Sequence, residues 1–523
     1  MNITRNIRHV VGRIVVLVGV AFSLSLVAQA GAVTGPASEI IPPPLLSSQS
    51  RASACPRKRS LAIPIAIAPL HVKPAPSIEC VVTAGPEIPI SALAFTSDGK
   101  MLAVGGYQEV LIWDLANAKL LKRVGAAQIT GLVHALTFLK DDRLLVVGEG
   151  TPHSSGAVRV FDIETDQQTL ILQEPAEGGA LTRPSLSGDP VQPPGPAALA
   201  EDVIYALALS PDGKLLAAGG ADNQVYVWSL PDNKLTAVIK EHSGWVLGVS
   251  FSPDGKLLAT SSADKTVQVW QVGTWSSVAK MQQQDTVQGS VFSHDGRLLA
   301  VAVGGPNDKA IRIQRSDNAR QTSVMYTGSA RPLDIIWTPK PNRIYVSCSD
   351  KTVKVFDVAK RRLVGTFCGH ADWVYAIALS PDGTRLASGS ADGTVKLWSV
   401  NEARAASPKG WTGSEPASPA WTGSNPPSAA RAKPWTGSSP PSAGRLLATL
   451  LQLSPRMDDW LIITEQGYLA TSSTSALQWR ITNLASRPDE LTNLLQNPEA
   501  VGKVLAGEKV EPPPLRRGYW LLQ

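Results

Sequence analysis

A unit of 41–43 residues recurs along the chain, and this internal repeat restricts the possible folds more than any other feature of the sequence. The clearest copy, Val203–Lys240, contains apolar segments of about six residues, the usual length of a buried or half-buried strand. Its first two segments are separated by Ser210–Gly213 (SPDG), in which proline presets φ, aspartate caps the turn and glycine accepts a positive φ. Four antiparallel strands joined by such turns form one blade of a β-propeller.

Seven copies of the unit cover the chain from about Ile90 to Val400, and their period matches that of a four-stranded blade. The sixth copy is degenerate, because Pro339–Asn342 replaces its turn. The other copies are marked by a turn aspartate, at Asp98, Asp141 or Asp142, Asp212, Asp254, Asp295 and Asp382. The repeat therefore predicts an all-β fold in which residues 78–400 form a seven-bladed β-propeller of four-stranded antiparallel blades.

Two stretches of the repeat, Phe251–Ala259 and Ser388–Trp398, resemble the consensus of the WD-repeat family. The resemblance implies a hydrogen-bonded tetrad of His, Ser or Thr, Asp and Trp within a blade. The tetrads fall on His242, Thr260, Asp264 and Trp270 in the fourth copy and on His370, Ser388, Asp392 and Trp398 in the seventh. Both copies place the histidine 22 residues before the aspartate, and the aspartate 6 residues before the tryptophan.

The other copies lack part of the tetrad. The first copy keeps only Trp113, and the third keeps Asp222 and Trp228 but lacks the histidine. The tryptophan position holds Gln314 in the fifth copy and Phe356 in the sixth, which keeps Asp350. We therefore expect blades one, two, five and six to depend on packing rather than on the tetrad network, and to form the softer part of the ring.

The first thirty residues have the pattern of a secretory signal peptide. A basic start with Arg5, Arg8 and Arg13 precedes the apolar run Ile14–Leu26, and residues 28–30 form an Ala-Gln-Ala cleavage pattern. Cleavage is favoured over a retained membrane anchor, because the apolar run is shorter than the roughly 20 residues that a span needs. The chain is thus expected to be exported, either to the periplasm or cell envelope or as a secreted protein, and residues 31–77 to form a disordered Pro-rich segment.

Residues 401–443 contain three copies of Trp-Thr-Gly-Ser, which begin at Trp411, Trp421 and Trp435. Pro, Ser, Ala and Gly fill the spaces, so we expect a disordered linker that is either a tandem docking motif or a tolerated repeat expansion. After the linker, Gly444–Leu450 is predicted to be the outer strand of the seventh blade, while Ser77–Thr83 is the alternative that would close the ring from the N-terminus.

Residues 444–523 are predicted to end in a small tail that packs on the propeller. Trp460–Ala470 is typical of a hairpin with its turn at Glu465–Gly467. One short helix is predicted after Ser486 with Pro488 at its first position, and a second from Asn497 to Gly507. Through Gln466–Tyr468 and the later pair Trp479–Arg480, the tail resembles one that follows WD repeats in secreted or surface bacterial proteins.

Three insertions fall in connections that reach the same face of the predicted disc. Gly148–Gly156 and Gly304–Asp308 lengthen the connection between the second and third strands of blades two and five. Glu174–Asp202 lies between blades two and three. Loops on a rigid scaffold often carry binding sites, so this face is the hypothetical partner site, with neutral loop growth as the alternative.

The residues that could carry chemistry give little support for catalysis. The four cysteines, Cys55, Cys80, Cys348 and Cys368, have no metal-ligand spacing. Cys55 and Cys80 are candidates for a disulfide, whereas the other two are expected to be buried apolar residues. His134 and His153 lie near the inserted loops but have no metal spacing either, and no motif of a catalytic nucleophile or phosphate-binding loop is present.

The sequence thus favours a non-catalytic protein-binding scaffold of the cell envelope, monomeric and without a metal or cofactor. The net charge of +6 falls to +3 when the three arginines of the signal segment are removed, which argues against nucleic acid as a partner, and contact with the membrane is expected only through an uncleaved signal segment. The alternatives are an accessory subunit of a membrane or redox complex and a propeller hydrolase or lactonase, which would need carboxylates or histidines in the central channel.

Overall fold

The computed structural model describes residues 59–64, 78–84, 88–152, 155–172, 202–338, 342–400, 443–453, 458–473, 477–481, 492–493, 495–511 and 513. The predicted signal segment, most of the insertion between blades two and three, the linker and the helix predicted after Ser486 lie outside these ranges. The first two strands, β1 (Arg59–Pro64) and β2 (Ile78–Ala84), precede the repeat region.

Seven sheets of the structure correspond to the seven predicted copies, which confirms the propeller. Blades one to four consist of β3 (Ala92–Phe95), β4 (Met101–Gly105), β5 (Val110–Asp114) and β6 (Lys119–Val124); β7 (Leu132–Phe138), β8 (Leu144–Thr151), β9 (Ser155–Asp162) and β10 (Gln167–Leu172); β11 (Ile204–Leu209), β12 (Leu215–Gly220), β13 (Val225–Ser229) and β14 (Lys234–Ile239); and β15 (Val246–Phe251), β16 (Leu257–Ser262), β17 (Thr266–Gln271) and β18 (Ser277–Gln282).

The strands of blades five to seven follow the same order from the inside outward, here called a to d. They are β19 (Val287–Phe292), β20 (Leu298–Gly304), β21 (Lys309–Arg315) and β22 (Gln321–Tyr326); β23 (Pro332–Thr338), β24 (Arg343–Cys348), β25 (Thr352–Asp357) and β26 (Arg362–Cys368); and β27 (Val374–Leu379), β28 (Arg385–Ser390), β29 (Thr394–Ser399) and β30 (Arg445–Gln452). All pairs within the blades are antiparallel, as in the registers Leu216↔Trp228 and Leu258↔Trp270.

The blades form a closed ring, because each inner strand contacts the inner strand of the next blade and β27 contacts β3. Strands b and c lie between neighbouring blades and are covered on both faces, so they are continuous apolar runs rather than alternating ones. In β12, for example, every residue after the first is buried. The outer strands alternate exposed and covered residues, as β14 does.

The predicted turn chemistry is present between strands a and b. In blade three the Ser210 hydroxyl donates to the Asp212 carboxylate at 2.6 Å, and the backbone N–H of Leu215 donates to that hydroxyl at 2.9 Å. Gly213 adopts a φ of 77°, which favours glycine. The turns at Asp98, Asp254, Asp295 and Asp382 have the same closed network.

The outer strand of blade seven comes from the C-terminal side, as predicted, since β30 pairs with β29. The alternative that Ser77–Thr83 closes the ring is wrong. Strand β2 pairs instead with β1 and with β33 (Leu477–Ile481) in a separate three-stranded sheet. A strand at Arg59–Pro64 also means that the predicted disorder of residues 31–77 does not extend to this stretch.

The predicted tail hairpin and the second tail helix are both present. The hairpin strands β31 (Trp460–Thr464) and β32 (Leu469–Thr471) extend the sheet of blade seven to six strands. Helix α1 (Pro498–Leu505) has Asn497 as its N-cap, and Gly507 follows its end with a φ of 85°. Within the described ranges, no helix has the length and apolar character needed to cross a membrane.

Candidate functional site

The structure brings together the four tetrad residues of blade four. The indole N–H of Trp270 donates to the Thr260 hydroxyl at 3.0 Å, and this hydroxyl lies 2.7 Å from His242 Nε2. His242 Nδ1 lies 2.8 Å from the Asp264 carboxylate. A neutral imidazole with its proton on Nδ1 satisfies this chain of bonds, because Nε2 then accepts from the hydroxyl.

The tetrad of blade seven has the same geometry. The Ser388 hydroxyl lies 2.8 Å from both Trp398 Nε1 and His370 Nε2, and His370 Nδ1 lies 3.1 Å from Asp392. Asp392 also accepts the backbone N–H of Ala371 at 2.7 Å. Each tetrad therefore ties the connection before strand a to strands b and c of its blade.

Burial and hydrogen bonding act in opposite directions on the acids of the tetrads. Burial alone would raise the pKa of Asp264, but hydrogen bonds from His242 and Thr266 outweigh it and hold the pKa well below its usual range. Asp392 behaves in the same way through His370 and Thr394. Burial lowers the pKa of His370, and its contact with Asp392 offsets this only in part. Both His–Asp pairs are thus held inside blades, where they serve structure.

The other five blades do not form the tetrad, and polar contacts of other kinds add to the packing of their strands. The serine or threonine position of the tetrad is apolar in five blades, where it holds Val104, Val147, Ala218, Val301 and Val346. Other polar pairs occur near it. In blade five Gln283 takes the histidine position and donates to Gln314 at 3.0 Å, and in blade three the Tyr226 hydroxyl donates to Asp222 at 2.6 Å.

Blades one, two, five and six also contain ion pairs, which are largely shielded from solvent except at the exposed Asp350. The pairs are Glu109–Arg123, Glu149–Arg159, Asp308–Arg312 and Asp350–Lys354. Glu109–Arg123 joins the connection before strand c to strand d, and Glu149–Arg159 joins strands b and c. Since an unpaired buried charge is very costly, these two pairs fix neighbouring parts of their blades. The other two pairs join strand c to the residues just before it. The sequence analysis did not find these ion pairs. In two of them the partners come from different parts of the blade, and in the other two they are four residues apart, a spacing that also occurs by chance.

The two faces of the ring differ in their polar groups. We call the face with the a–b and c–d turns the turn face, and the face with the b–c and d–a connections the loop face. On the turn face each Ser-x-Asp-Gly turn binds its own carboxylate; hydrogen bonds from Ser210 and from the backbone of Lys214 lower the pKa of Asp212.

Aromatic side chains surround the loop-face end of the inner strands. His134 and Tyr205 are in contact, with ring centroids 5.1 Å apart, and Tyr205 lies 5.8 Å from Trp245. Across the ring, Trp373 and Tyr375 are 6.4 Å apart. All five side chains are half-buried. We call this set the aromatic rim.

Two titratable groups near the loop-face ends of the inner strands have perturbed pKa values. Burial lowers the pKa of His134 to about 4, so this rim residue is uncharged at neutral pH. Asp334 stands in β23 where the other six blades have alanine or glycine. Its carboxylate accepts the N–H groups of Ile335 at 2.7 Å and Ile377 at 3.0 Å, but burial raises its pKa to about 6.

The described insertions are partly regular structure. Much of Gly148–Gly156 extends the β8–β9 hairpin, whose register runs to Thr151↔Ser155, and His153 lies outside the described residues. Gly304–Asp308 forms a short loop whose Asn307 N–H donates to the buried Asp285 carboxylate at 2.9 Å. The third insertion falls almost entirely outside the described residues.

The cysteines and acids form no metal centre in the described ranges, where no group of three or more potential ligands is close enough to hold an ion. Cys348 is buried, and burial raises its pKa to about 12. Cys368 is exposed, which corrects the prediction that it is buried. Both are free thiols, whereas Cys55 and the side chain of Cys80 lie outside what the structure describes.

Comparison with protein families agrees with this geometry. The model of the WD domain, G-beta repeat, matches residues 79–114, 199–229, 233–271 and 361–399. The chain carries WD repeats. These matches cover blades one, three, four and seven, which include both complete tetrads. The first WD match begins inside β2, although the structure pairs this strand with β1 and β33 rather than with a blade.

Several eukaryotic proteins are similar to parts of this chain. This chain is 26% identical over 199 residues to the B-type cell cycle switch protein ccs52B of Medicago truncatula, covering 38% of this chain and 32% of that protein. It is 23% identical over 319 residues to Protein FIZZY-RELATED 3 of Arabidopsis thaliana, covering 60% and 51%. It is 40% identical over 70 residues to the small ribosomal subunit protein RACK1 of Neurospora crassa, covering 13% and 22%. The chain thus spans between about a fifth and a half of these relatives.

The aromatic rim was missed by the sequence reasoning, although the WD repeat contains a signal for it. Trp245 and Trp373 each lie nine residues before the turn aspartate of their blade, and Tyr205 and Tyr375 each lie seven residues before it. Aligning the repeats on that aspartate would have placed these side chains at one level of the ring.

Proposed function

We propose that this WD-repeat chain is a non-catalytic protein-binding scaffold of the cell envelope that engages its partner through the loop face. The observation that carries the proposal is the aromatic rim. Trp and Tyr are enriched among the residues that dominate binding energy at interfaces, because each combines a large apolar ring with a polar group. The rim places two Trp and two Tyr side chains, all half-buried, at the loop-face ends of the inner strands.

The geometry of the blades supports binding rather than catalysis. Both His–Asp pairs are engaged with a hydroxyl and an indole N–H inside their blades, where a substrate has no access to them. Relatives with WD repeats include a protein named as part of the small ribosomal subunit, which is a role within an assembly. One chain forms the complete ring, so the scaffold needs no second copy.

The location in the envelope is supported by the N-terminal sequence pattern alone. A basic start, an apolar run and an Ala-Gln-Ala pattern predict export. Fractionation of the producing cells, with detection of the mature N-terminus by mass spectrometry, tests this part separately. Recovery of the full-length chain in the cytosol would contradict it.

The binding proposal is tested by affinity capture with the full chain and quantitative mass spectrometry. Trp245→Ala combined with Trp373→Ala is expected to reduce the captured partner by at least tenfold. The matched control is Trp275→Ala, since Trp275 is also half-buried but lies in the c–d turn of blade four, on the turn face. Equal loss from the rim variant and the control, with both still folded by circular dichroism, would contradict the proposal.

A further inference from the structure

The seam between blades seven and one differs from the six other seams of the ring. Consecutive blades are joined by the chain itself, whereas blades seven and one are separated by almost the whole propeller sequence. Among the strands that the structure describes, none is shared across this seam, because β30 completes blade seven and β2 pairs elsewhere. The inner strands β27 and β3 are in contact across this seam, and the C-terminal tail adds contacts between the outer parts of the two blades.

The tail hairpin makes the first set of contacts with blade one. Trp460 of β31 packs edge-on against the buried Trp113 of blade one, with centroids 6.1 Å apart. Beside them the amide of Gln452 donates to Glu109 at 3.2 Å, while Arg123 lies 3.6 Å from Asp458. A strand that extends blade seven therefore touches the outer half of blade one.

Helix α1 makes the second set. Its Val501, Val504 and Leu505 are buried in one apolar cluster, which also contains Leu102, Trp113 and Leu115 of blade one and Leu447, Leu450 and Ile462 of the blade-seven sheet. Gly502 faces the backbone of blade one so closely that a Cβ there would lie 2.9 Å from the carbonyl oxygen of Ala116. The helix thus needs glycine where it touches the c–d turn.

Arg385 joins all three parts. It begins β28 of blade seven, and its guanidinium donates to the carbonyl of Leu505 at 3.0 Å and to the carbonyl of Gly99 at 2.7 Å. The first acceptor is at the C-terminal end of α1, where cations are favoured, and the second is in the a–b turn of blade one. The same guanidinium lies 6.0 Å from the centre of the Phe95 ring.

We propose that residues 458–473 and 495–507 act as a clasp that closes the ring, and that release of this clasp opens the propeller at the seam between blades seven and one while the other seams stay closed. The proposal concerns ring closure and does not depend on the proposed partner binding. A tail that only adds general stability would affect all blades alike, whereas a clasp would affect mainly blades seven and one. Measuring each blade separately therefore distinguishes a clasp from general stabilisation.

The test is hydrogen exchange of the full chain carrying Gly502→Val. The added side chain pushes α1 from Ala116, while valine raises rather than lowers helix propensity relative to glycine. We expect exchange to become at least tenfold faster in β3–β6 and β27–β29 and to stay unchanged in β11–β22. The matched control is Lys503→Val, because Lys503 is the exposed neighbour in the same helix.

A second variant covers the case in which Gly502→Val fails to fold. Arg385→Gln removes the three-way contact without adding volume, and Arg343→Gln is its control, since Arg343 begins the equivalent strand of blade six. Faster exchange at the seam with Arg385→Gln, but not with Arg343→Gln, supports the clasp. Uniform change over all blades, or no difference between variant and control, would overturn it.

Discussion

At the scale of single residues, the tetrads depend on one hydroxyl each. Thr260 is fully buried and links Trp270 to His242, so Thr260→Val leaves an indole N–H and an imidazole nitrogen without partners. We expect this change to lower the free energy of unfolding by about 1–3 kcal/mol. Urea denaturation measures it, with Thr236→Val, an exposed threonine that bonds only a backbone carbonyl, as the control. Equal effects of the two changes would contradict the role of the tetrad.

For the buried ion pair Glu149–Arg159 of blade two, we predict that the effects of two mutations on the free energy of unfolding do not add. Arg159→Met leaves Glu149 charged and buried, with only the N–H groups of Thr130 and Gly131 as partners, and should cost about 3–5 kcal/mol. Adding Glu149→Gln removes the charge and keeps an acceptor for those groups, so the double variant should be more stable than Arg159→Met alone. A double-mutant cycle by denaturation measures the coupling, and simple additivity would show that the pair is unimportant.

Because of Asp334, we predict that the free energy of unfolding depends on pH. Its pKa in the fold, about 6, lies above the ordinary value of 3.8, so the folded state binds the proton more tightly than the unfolded chain. This carboxyl therefore favours folding below pH 4, and its contribution is lost as the pH rises through 6, a change on the order of 2–3 kcal/mol.

The variant Asp334→Asn lacks this titration. The difference in unfolding free energy, variant minus wild type, should increase between pH 4 and pH 6.5 and then stay level. Thermal or urea unfolding at a series of pH values measures the difference. A flat difference over this range would show that Asp334 has an ordinary pKa.

At the scale of elements, the N-cap of α1 should contribute to the stability of the clasp. The Asn497 side chain accepts the N–H of Ala500 at 2.9 Å. Asn497→Ala should cost about 1 kcal/mol, whereas Asn497→Ser keeps a capping oxygen and should cost much less. Differential scanning calorimetry of the two variants tests this, and equal melting temperatures would indicate that the cap does not contribute.

Elements with local sequence signals could be predicted, and elements held by distant pairing could not. Local determinants within a few residues specify the a–b turns, the tail hairpin with its turn at Glu465–Gly467, and the helix that follows Asn497. The pairing of β2 with β33 joins strands almost four hundred residues apart, and no local pattern specifies it. The pair Glu109–Arg123 depends on which strands become neighbours, so it was also invisible before the fold was known.

At the scale of the whole molecule, the seven blades make a rigid ring with two chemically different faces. The turn face consists of closed polar turns, whereas the loop face surrounds the aromatic rim. The period of the repeat predicted the ring and the insertions pointed to the loop face, but the rim became visible only when side chains from four different blades were placed around one opening. Binding through that face is the central claim about this molecule.

Site-specific photo-cross-linking in the producing cells tests this claim most directly. A benzophenone amino acid is introduced at Trp245 or Trp373 on the loop face and at Trp275 or Lys214 on the turn face, one position at a time. We predict a discrete cross-linked protein from the two loop-face positions and none from the turn-face positions. Cross-links from the turn face alone, or equally from both faces, would contradict it.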